Sequence, residues 1–152
     1  MTKVGDGISA TNAGWTFSGA VADTFDDHVS KSVPLYHQGH DLICAVSDFF
    51  VKPDSTVYEI GSSTGSLSLK LAERNKAKAG ASFIGIDIEP DMVEHAKKKA
   101  AAAGLSNTAF NADDVVTMEF QSADLIIAYY TVQFIRPSVR QLLINKIYNA
   151  LH

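Results

Sequence analysis

The stretch Val57-Tyr58-Glu59-Ile60-Gly61-Ser62-Ser63-Thr64-Gly65 decides the fold. A short apolar run ends in an acid, and two glycines follow in a G-x-S-x-G spacing. A helical pattern then begins at Ser66 and runs to Asn75. Strand, tight glycine turn and helix is the arrangement by which open α/β sheets hold a nucleotide at the carboxyl end of a strand.

On either side of this stretch the chain keeps alternating. Thr56–Ile60 reads as a strand, Ser66–Asn75 as a helix with Leu67, Leu69 and Leu71, and Ser82–Ile86 as a second strand ending at Asp87. Pro90 suits the first turn of the next helix and Gly104 stops it. Thr108–Asn111 is a short third strand, and Asp124–Tyr129 is an apolar fourth of the kind buried on both faces. A last helix starts at Pro137-Ser138 and carries Val139, Leu142, Leu143, Ile147 and Leu151. Alternation of this kind predicts a parallel sheet with right-handed crossovers, a Rossmann-like α/β fold with helices on both faces. Counted along these four strands, the expected order is 3-2-1-4.

Upstream, residues 1–14 are Gly-, Thr-, Asn- and Ser-rich without periodicity, and the reading is a loose tail. Trp15 to Val29 reads as short helical pieces, interrupted near Pro34, which disfavours helix at Val33. A helix from about Tyr36 to Phe50 follows, with Leu42, Ile43, Val46, Phe49 and Phe50 on one face. Residues 15–55 are expected to form a helical lid on a core of residues 56–152, all within a single domain.

The glycine turn narrows the ligand. A dinucleotide fingerprint requires G-x-G-x-x-G, whose second glycine lets the backbone approach a pyrophosphate. Here Ser63 and Ser66 stand at the second and third glycine positions, which disfavours a pyrophosphate and a nicotinamide dehydrogenase. A plain strand-to-helix turn is the structural alternative. Asp87 follows the second strand directly, where an acid faces the ribose hydroxyls of a nucleoside held over the first strand. Its carboxylate can accept two such hydrogen bonds, each about 1.5–3 kcal/mol; the alternative is a helix N-cap before Pro90. Asp113-Asp114 closes the third strand, where an acid can accept from an adenine amine, or can cap a surface loop.

Composition limits the rest. The 152 residues make one domain with a real core, 46% hydrophobic and 20% charged. A formal charge of −4 argues against a nucleic-acid surface, which needs a basic field. Lys97-Lys98-Lys99 reads as the solvated face of a helix whose other side is Val93, Ala96, Ala100 and Ala103. The sequence has no apolar run long enough for a membrane helix, and its first residues have no secretory h-region. The single cysteine, Cys44, excludes an internal disulfide, fits a reducing cytoplasm and reads as core filler. No metal-ligand spacing or Ser-His-Asp set stands out, so no catalytic residue is assigned. His28, His37 and His40 fall near the lid, and of these His37 is the candidate base.

Three acids after three consecutive strands, together with the glycine turn, resemble the class I S-adenosylmethionine-dependent methyltransferases. Glu59-x-Gly61-x-Ser63-x-Gly65 is similar to their first motif, Asp87 to the ribose acid and Asp113-Asp114 to the adenine-side motif. Phe25-Asp26-Asp27-His28-Val29, Ser32-Val33-Pro34-x-Tyr36, Thr131-Val132-Gln133-Phe134-x-x-Pro137-Ser138 and Lys146-Ile147-Tyr148 resemble the carboxy-S-adenosylmethionine synthase branch. That resemblance covers roughly residues 15–152.

The resemblance implies S-adenosyl-L-methionine as cofactor, with Tyr36 reaching over it, Gly61 and Ser62 along its methionine part, and Asp87, Ile88 and Met92 along ribose and adenine. The full cofactor-binding set it implies is Tyr36, Glu59, Gly61, Ser62, Ser63, Gly65, Asp87, Ile88, Met92, Asp113, Asp114, Val115 and Tyr129. Tyr129 stands where the branch places an asparagine that holds a carboxylated cofactor. The implied activity is methyl transfer to a small-molecule acceptor in the cytoplasm. The alternatives are synthesis of the carboxylated cofactor from prephenate, for wobble-uridine modification of tRNA, and a non-catalytic cofactor-binding module. Family members continue with a fifth strand and a hairpin. The expectation is therefore a truncated sheet whose fourth strand is an edge, covered by a homodimer or another partner, and weak or no cofactor binding by the chain unless the missing strands are supplied.

Overall fold

The computed structural model describes the backbone of residues 2–3, 9–11, 14–16 and 21–152, and the side chains of residues 24–152. Three short strands, β1 (Thr2–Lys3), β2 (Ser9–Thr11) and β3 (Gly14–Thr16), pair antiparallel in that order. Much of the tail expected over residues 1–14 lies outside the described residues. Trp15 falls in β3 rather than in a helical piece, as suits an aromatic with strand preference.

Helix α1 (Val21–Ser32) and helix α2 (Tyr36–Ser47) follow. The break between them falls where Pro34 placed it, and Leu35 adopts a left-handed φ of 57°. Residues 48–50 form turns after α2 instead of extending it.

The main sheet has four parallel strands: β4 (Thr56–Ile60), β5 (Ser82–Asp87), β6 (Thr108–Ala112) and β7 (Leu125–Ile127). Their spatial order is β6-β5-β4-β7, which is 3-2-1-4 in chain order. Register runs Val57 beside Phe83 and Leu125, and Glu59 beside Gly85 and Ile127. Helices α3 (Ser66–Arg74) and α4 (Pro90–Ala103) connect these strands, and α5 (Pro137–Ala150) follows β7. Pro90 opens α4 and Gly104 closes it at φ 66°.

Two layers of core flank the sheet. On one side Val57, Phe83 and Ile127 pack with Leu67, Leu71 and Ala72 of α3 and with Cys44 of α2. Burial raises the Cys44 thiol above its ordinary pKa, the state of an inert core cysteine. On the other side Tyr58, Ile86 and Ala123 meet Val115, Met118 and Phe120. Lys146 of α5 ties that segment down through the carbonyls of Val116 and Met118.

Strand β7 corrects one expectation. It is three residues long, and Leu125 and Ile126 are only half-buried, so it is not a strand covered on both faces. Among the described strands it pairs with β4, and just before it Ala123 forms a parallel bridge with Leu151.

Candidate functional site: a cleft at the strand ends

The order of connection reverses at β4: β5 and β6 lie to one side and β7 to the other. Such a switch point opens a crevice at the carboxyl ends of the strands. A cleft of about 680 Å³ lies there, within the range of small-molecule sites. Its floor is Glu59 to Ser63, Ile86 to Glu89, Asp113 to Val116 and Tyr129 to Thr131; α1 and residues 133–139 supply the walls.

The turn after β4 is built from backbone. Gly61 and Ser62 donate their N–H groups to the Ile86 carbonyl at 2.8 and 3.0 Å. Gly61 has φ 70°, and a Cβ there would run into the Thr131 side chain. Thr131 is pinned by donating to the Ile60 carbonyl at 2.9 Å. The glycine therefore makes room for Thr131, a role the sequence did not suggest. Gly65, at φ 77°, packs against Phe110 and Ala96 behind the turn and does not line the cleft. The other twelve residues of the expected set do line it.

Asp87 ends β5 with both oxygens engaged. Oδ2 accepts the Ser63 N–H at 2.7 Å and Oδ1 accepts the Glu89 N–H at 3.0 Å. The N-cap of α4 is Glu89, whose own side chain makes no capping hydrogen bond, so the Asp87 carboxylate ties down the N-cap backbone instead. Each carboxylate oxygen has a second acceptor site, so capacity for a ligand's hydroxyls is left on the cleft side. Burial raises the pKa of Asp87, and its backbone hydrogen bonds oppose that rise.

Glu59 is buried, and its Oε2 accepts the Ser68 hydroxyl at 2.5 Å. Burial pushes this carboxyl up to about 8, against the Ser68 hydrogen bonds and with help from the Asp87 charge. Beside it the Ser62 hydroxyl is buried with no hydrogen-bond partner. A buried orphan of this kind is costly unless a ligand satisfies it.

Asp113 and Asp114 come from the loop after β6. The Asp113 N–H donates to the Asp87 carbonyl at 3.0 Å, and Asp114 Oδ1 accepts the Val116 N–H at 2.9 Å. On the opposite wall Tyr36, His40 and Tyr129 form an aromatic cluster, with Tyr36–His40 centroids 4.3 Å apart and His40–Tyr129 5.5 Å. Burial, with the Lys70 and His37 charges, lowers His40 to about 4, so this imidazole is neutral at pH 7. His37 is exposed and does not line the cleft, whereas His28 and His40 do. Burial raises the pKa of Tyr36, aided by Glu59.

Sequence reasoning missed further residues here. Lys99 is not part of a solvated run: it turns inward to Asp26 at 2.8 Å. Gly39, at the end of the first turn of α2, lies where any side chain would meet the Tyr129 ring and hydroxyl. Arg136 lines the cleft mouth. The signal for Lys99 was spacing, since it falls seven residues after the buried Met92 and so on the same helical flank.

A family model described as a methyltransferase domain matches residues 51–151. The chain belongs to that methyltransferase-domain family. Carboxy-S-adenosyl-L-methionine synthases from Nautilia profundicola and an Enterobacter species are 38% and 34% identical to it, over 89% and 91% of this chain. Each match covers 56% of the relative, so the chain spans about half the length of the curated relatives it matches. Among solved structures, a candidate S-adenosyl-L-methionine-dependent methyltransferase from Methanococcus maripaludis superposes with a TM-score of 0.71 at 26% identity, over 90% of this chain and 60% of that one. An RNA methyltransferase from Salinibacter ruber, in complex with S-adenosyl-L-homocysteine, gives 0.61 at 27% identity, over 79% and 72%. These likenesses place the methyltransferase-domain chain in the Rossmann-like class that its strand order indicates. No described helix is long and apolar enough to cross a membrane.

Proposed function

We propose that this chain is the cofactor-binding part of an S-adenosyl-L-methionine-dependent methyltransferase acting on a small molecule. The observation that carries the reading is the convergence of the Gly61 turn, Asp87 and Asp113-Asp114 from three adjacent strand ends in one cleft. The site suits a ligand with an amino-acid end and a nucleoside end. The buried, unpartnered Ser62 hydroxyl is available to the amino-acid end, next to Gly61 and Glu59. Asp87 would take the ribose hydroxyls, with Ile88 and Met92 as apolar neighbours. Asp113, Asp114 and Val115 would border the base. Tyr36 and Tyr129 would close the far side, with Ser63 held by Asp87. Gly65 would act only by shaping the turn.

Bound there, the cofactor supplies a sulfonium-activated methyl group. The chain's part is to orient, to exclude water and to align an acceptor, which is most of what such a transfer asks of a protein. Because the cleft is lined from within one chain, cofactor binding by the chain alone is expected to be measurable. That differs from the weak binding anticipated from the family's longer members. The acid-lined cleft and the net charge of −4 favour a small-molecule acceptor over direct nucleic-acid binding. The lone reduced cysteine fits a cytoplasmic setting. A homodimer or another partner would cover the outer side of β7.

A second reading is carboxy-S-adenosyl-L-methionine synthesis from prephenate. It is favoured by the names of the relatives at 38% and 34% identity. Calorimetry with S-adenosylhomocysteine, followed by mass analysis of any nucleoside retained on purification, tests both. A retained carboxylated cofactor would replace the first reading with the second. Tight binding without methyl transfer to any of a panel of small acceptors would leave a cofactor-binding module. No binding would end all three.

A further inference from the structure

Away from the strand ends, four polar side chains meet from three separate segments. Asp26 of α1 accepts the Thr64 hydroxyl at 2.6 Å and the Ser66 hydroxyl at 3.0 Å through Oδ1. Lys99 of α4 donates to its Oδ2 at 2.8 Å and to the Ser66 hydroxyl at 2.8 Å. Thr64 and Ser66 flank Gly65, so the glycine turn is the third party in this contact. Burial pushes the Asp26 carboxyl up, but hydrogen bonds from Lys99, Thr64 and Ser66 outweigh it and hold the group below its ordinary value.

The contact bears on the cleft because of what α1 is. Thr24, Phe25, His28, Val29 and Ser32 form one of its walls. None of the described side chains of α1 is fully buried, and none belongs to the core layers that flank the sheet. A helix whose described side chains are at most half-buried opens more readily than the strands beneath it. The charge-assisted bonds at Asp26 join that helix to the turn on which a ligand would rest, and such bonds are the stronger kind.

We propose that Asp26 and Lys99 are positioning residues: the pair clamps α1 over the glycine turn, and the lifetime of a ligand in the cleft depends on it. With the clamp released, the closed wall is a smaller fraction of the population, and apparent affinity falls by that fraction. The wall leaves rather than the docking surface, so dissociation accelerates and association changes little. The inference rests on the cofactor reading in its ligand arm only.

The test uses Asp26→Asn, Lys99→Met and the double variant. In the ligand-free protein, amide exchange of residues 21–32 should quicken about tenfold, the effect of about 1.4 kcal/mol, while β4 and β5 exchange as before. Stopped-flow with S-adenosylhomocysteine should show dissociation about tenfold faster in either variant, and no faster again in the double variant. Unchanged exchange in α1, equally quickened exchange in the strands, or dissociation effects that multiply would each overturn the clamp. If a single variant does not fold, the exchange Asp26→Lys with Lys99→Asp decides: recovery of slow α1 exchange supports the pair and its absence overturns it. Failure of the native chain to bind S-adenosylhomocysteine would sink the cofactor reading, and amide exchange would still decide the clamp.

Discussion

Asp87 Oδ2 accepts the backbone N–H of Ser63 at 2.7 Å, joining the end of β5 to the turn that follows β4. Ser63 sits at φ 50°, a left-handed conformation that costs a non-glycine residue about 1–2 kcal/mol. The carboxylate thus compensates a strained turn as well as facing the cleft. This double role changes what a substitution at Asp87 reports.

Asp87→Ala is expected to weaken S-adenosylhomocysteine binding by about 1.5–3 kcal/mol, roughly 10- to 150-fold, and also to lower the melting temperature. Adding Ser63→Gly removes the left-handed strain. The pair should recover melting temperature without recovering affinity in calorimetry. Recovery of both would mean that Asp87 acts only through the turn.

Glu59 gives a pH signature. Its carboxyl titrates at about 8 in the folded chain against 4.5 when unperturbed. Between these values the native state keeps a proton that the unfolded chain has lost. Stability therefore falls as pH rises through that window, by at most about 1.4 kcal/mol per pH unit. His40 acts oppositely and lower down, since its fall from 6.5 to about 4 costs stability as pH drops below 6.5. Urea denaturation between about pH 6.5 and 8 isolates Glu59. Glu59→Gln should flatten the native slope there, and parallel curves for the two proteins would refute the assignment.

Gly39 in α2 should behave against its propensity. Alanine in a helix interior normally gains about 0.5–1 kcal/mol over glycine. Here the added Cβ meets the Tyr129 ring, whose hydroxyl donates to the Leu35 and Tyr36 carbonyls at 3.4 Å. Gly39→Ala is expected to destabilise the native chain and to stabilise the Tyr129→Ala variant. Thermal melts of the four proteins read this sign change directly.

The central sheet was legible because apolar runs, Pro90 and Gly104 mark its strands and helix ends in local sequence. Strand β7 was overread: Asp124–Tyr129 is apolar, but its ladder with β4 spans only Leu125–Ile127. The residues of the cleft were largely readable from strand ends. Their partners were not, because those contacts are distant in sequence. Asp26 reaches Thr64 across 38 positions and Lys99 across 73. The lysine run itself does not single out its last member; only the seven-residue spacing from the buried Met92 does. The two glycines of the turn look alike in sequence, yet one makes room for Thr131 and the other for Phe110. His37 and His40 are equally unreadable until the aromatic cluster buries the second and leaves the first in solvent.

Gly61 separates ligand space from protein space. If its missing side chain served a bound cofactor, Gly61→Ala would chiefly lower affinity. The Cβ instead overlaps Thr131, and φ 70° adds strain. The expected result is a stability loss of about 2–5 kcal/mol, the sum of left-handed strain and overpacking. Thr131→Ala should return the overpacking part while forfeiting its bond to the Ile60 carbonyl, worth about 0.5–1.5 kcal/mol. Denaturation of the double variant should then show a smaller loss than the two single losses added together. Simple additivity, together with an affinity loss in Gly61→Ala at unchanged stability, would assign the space to the ligand.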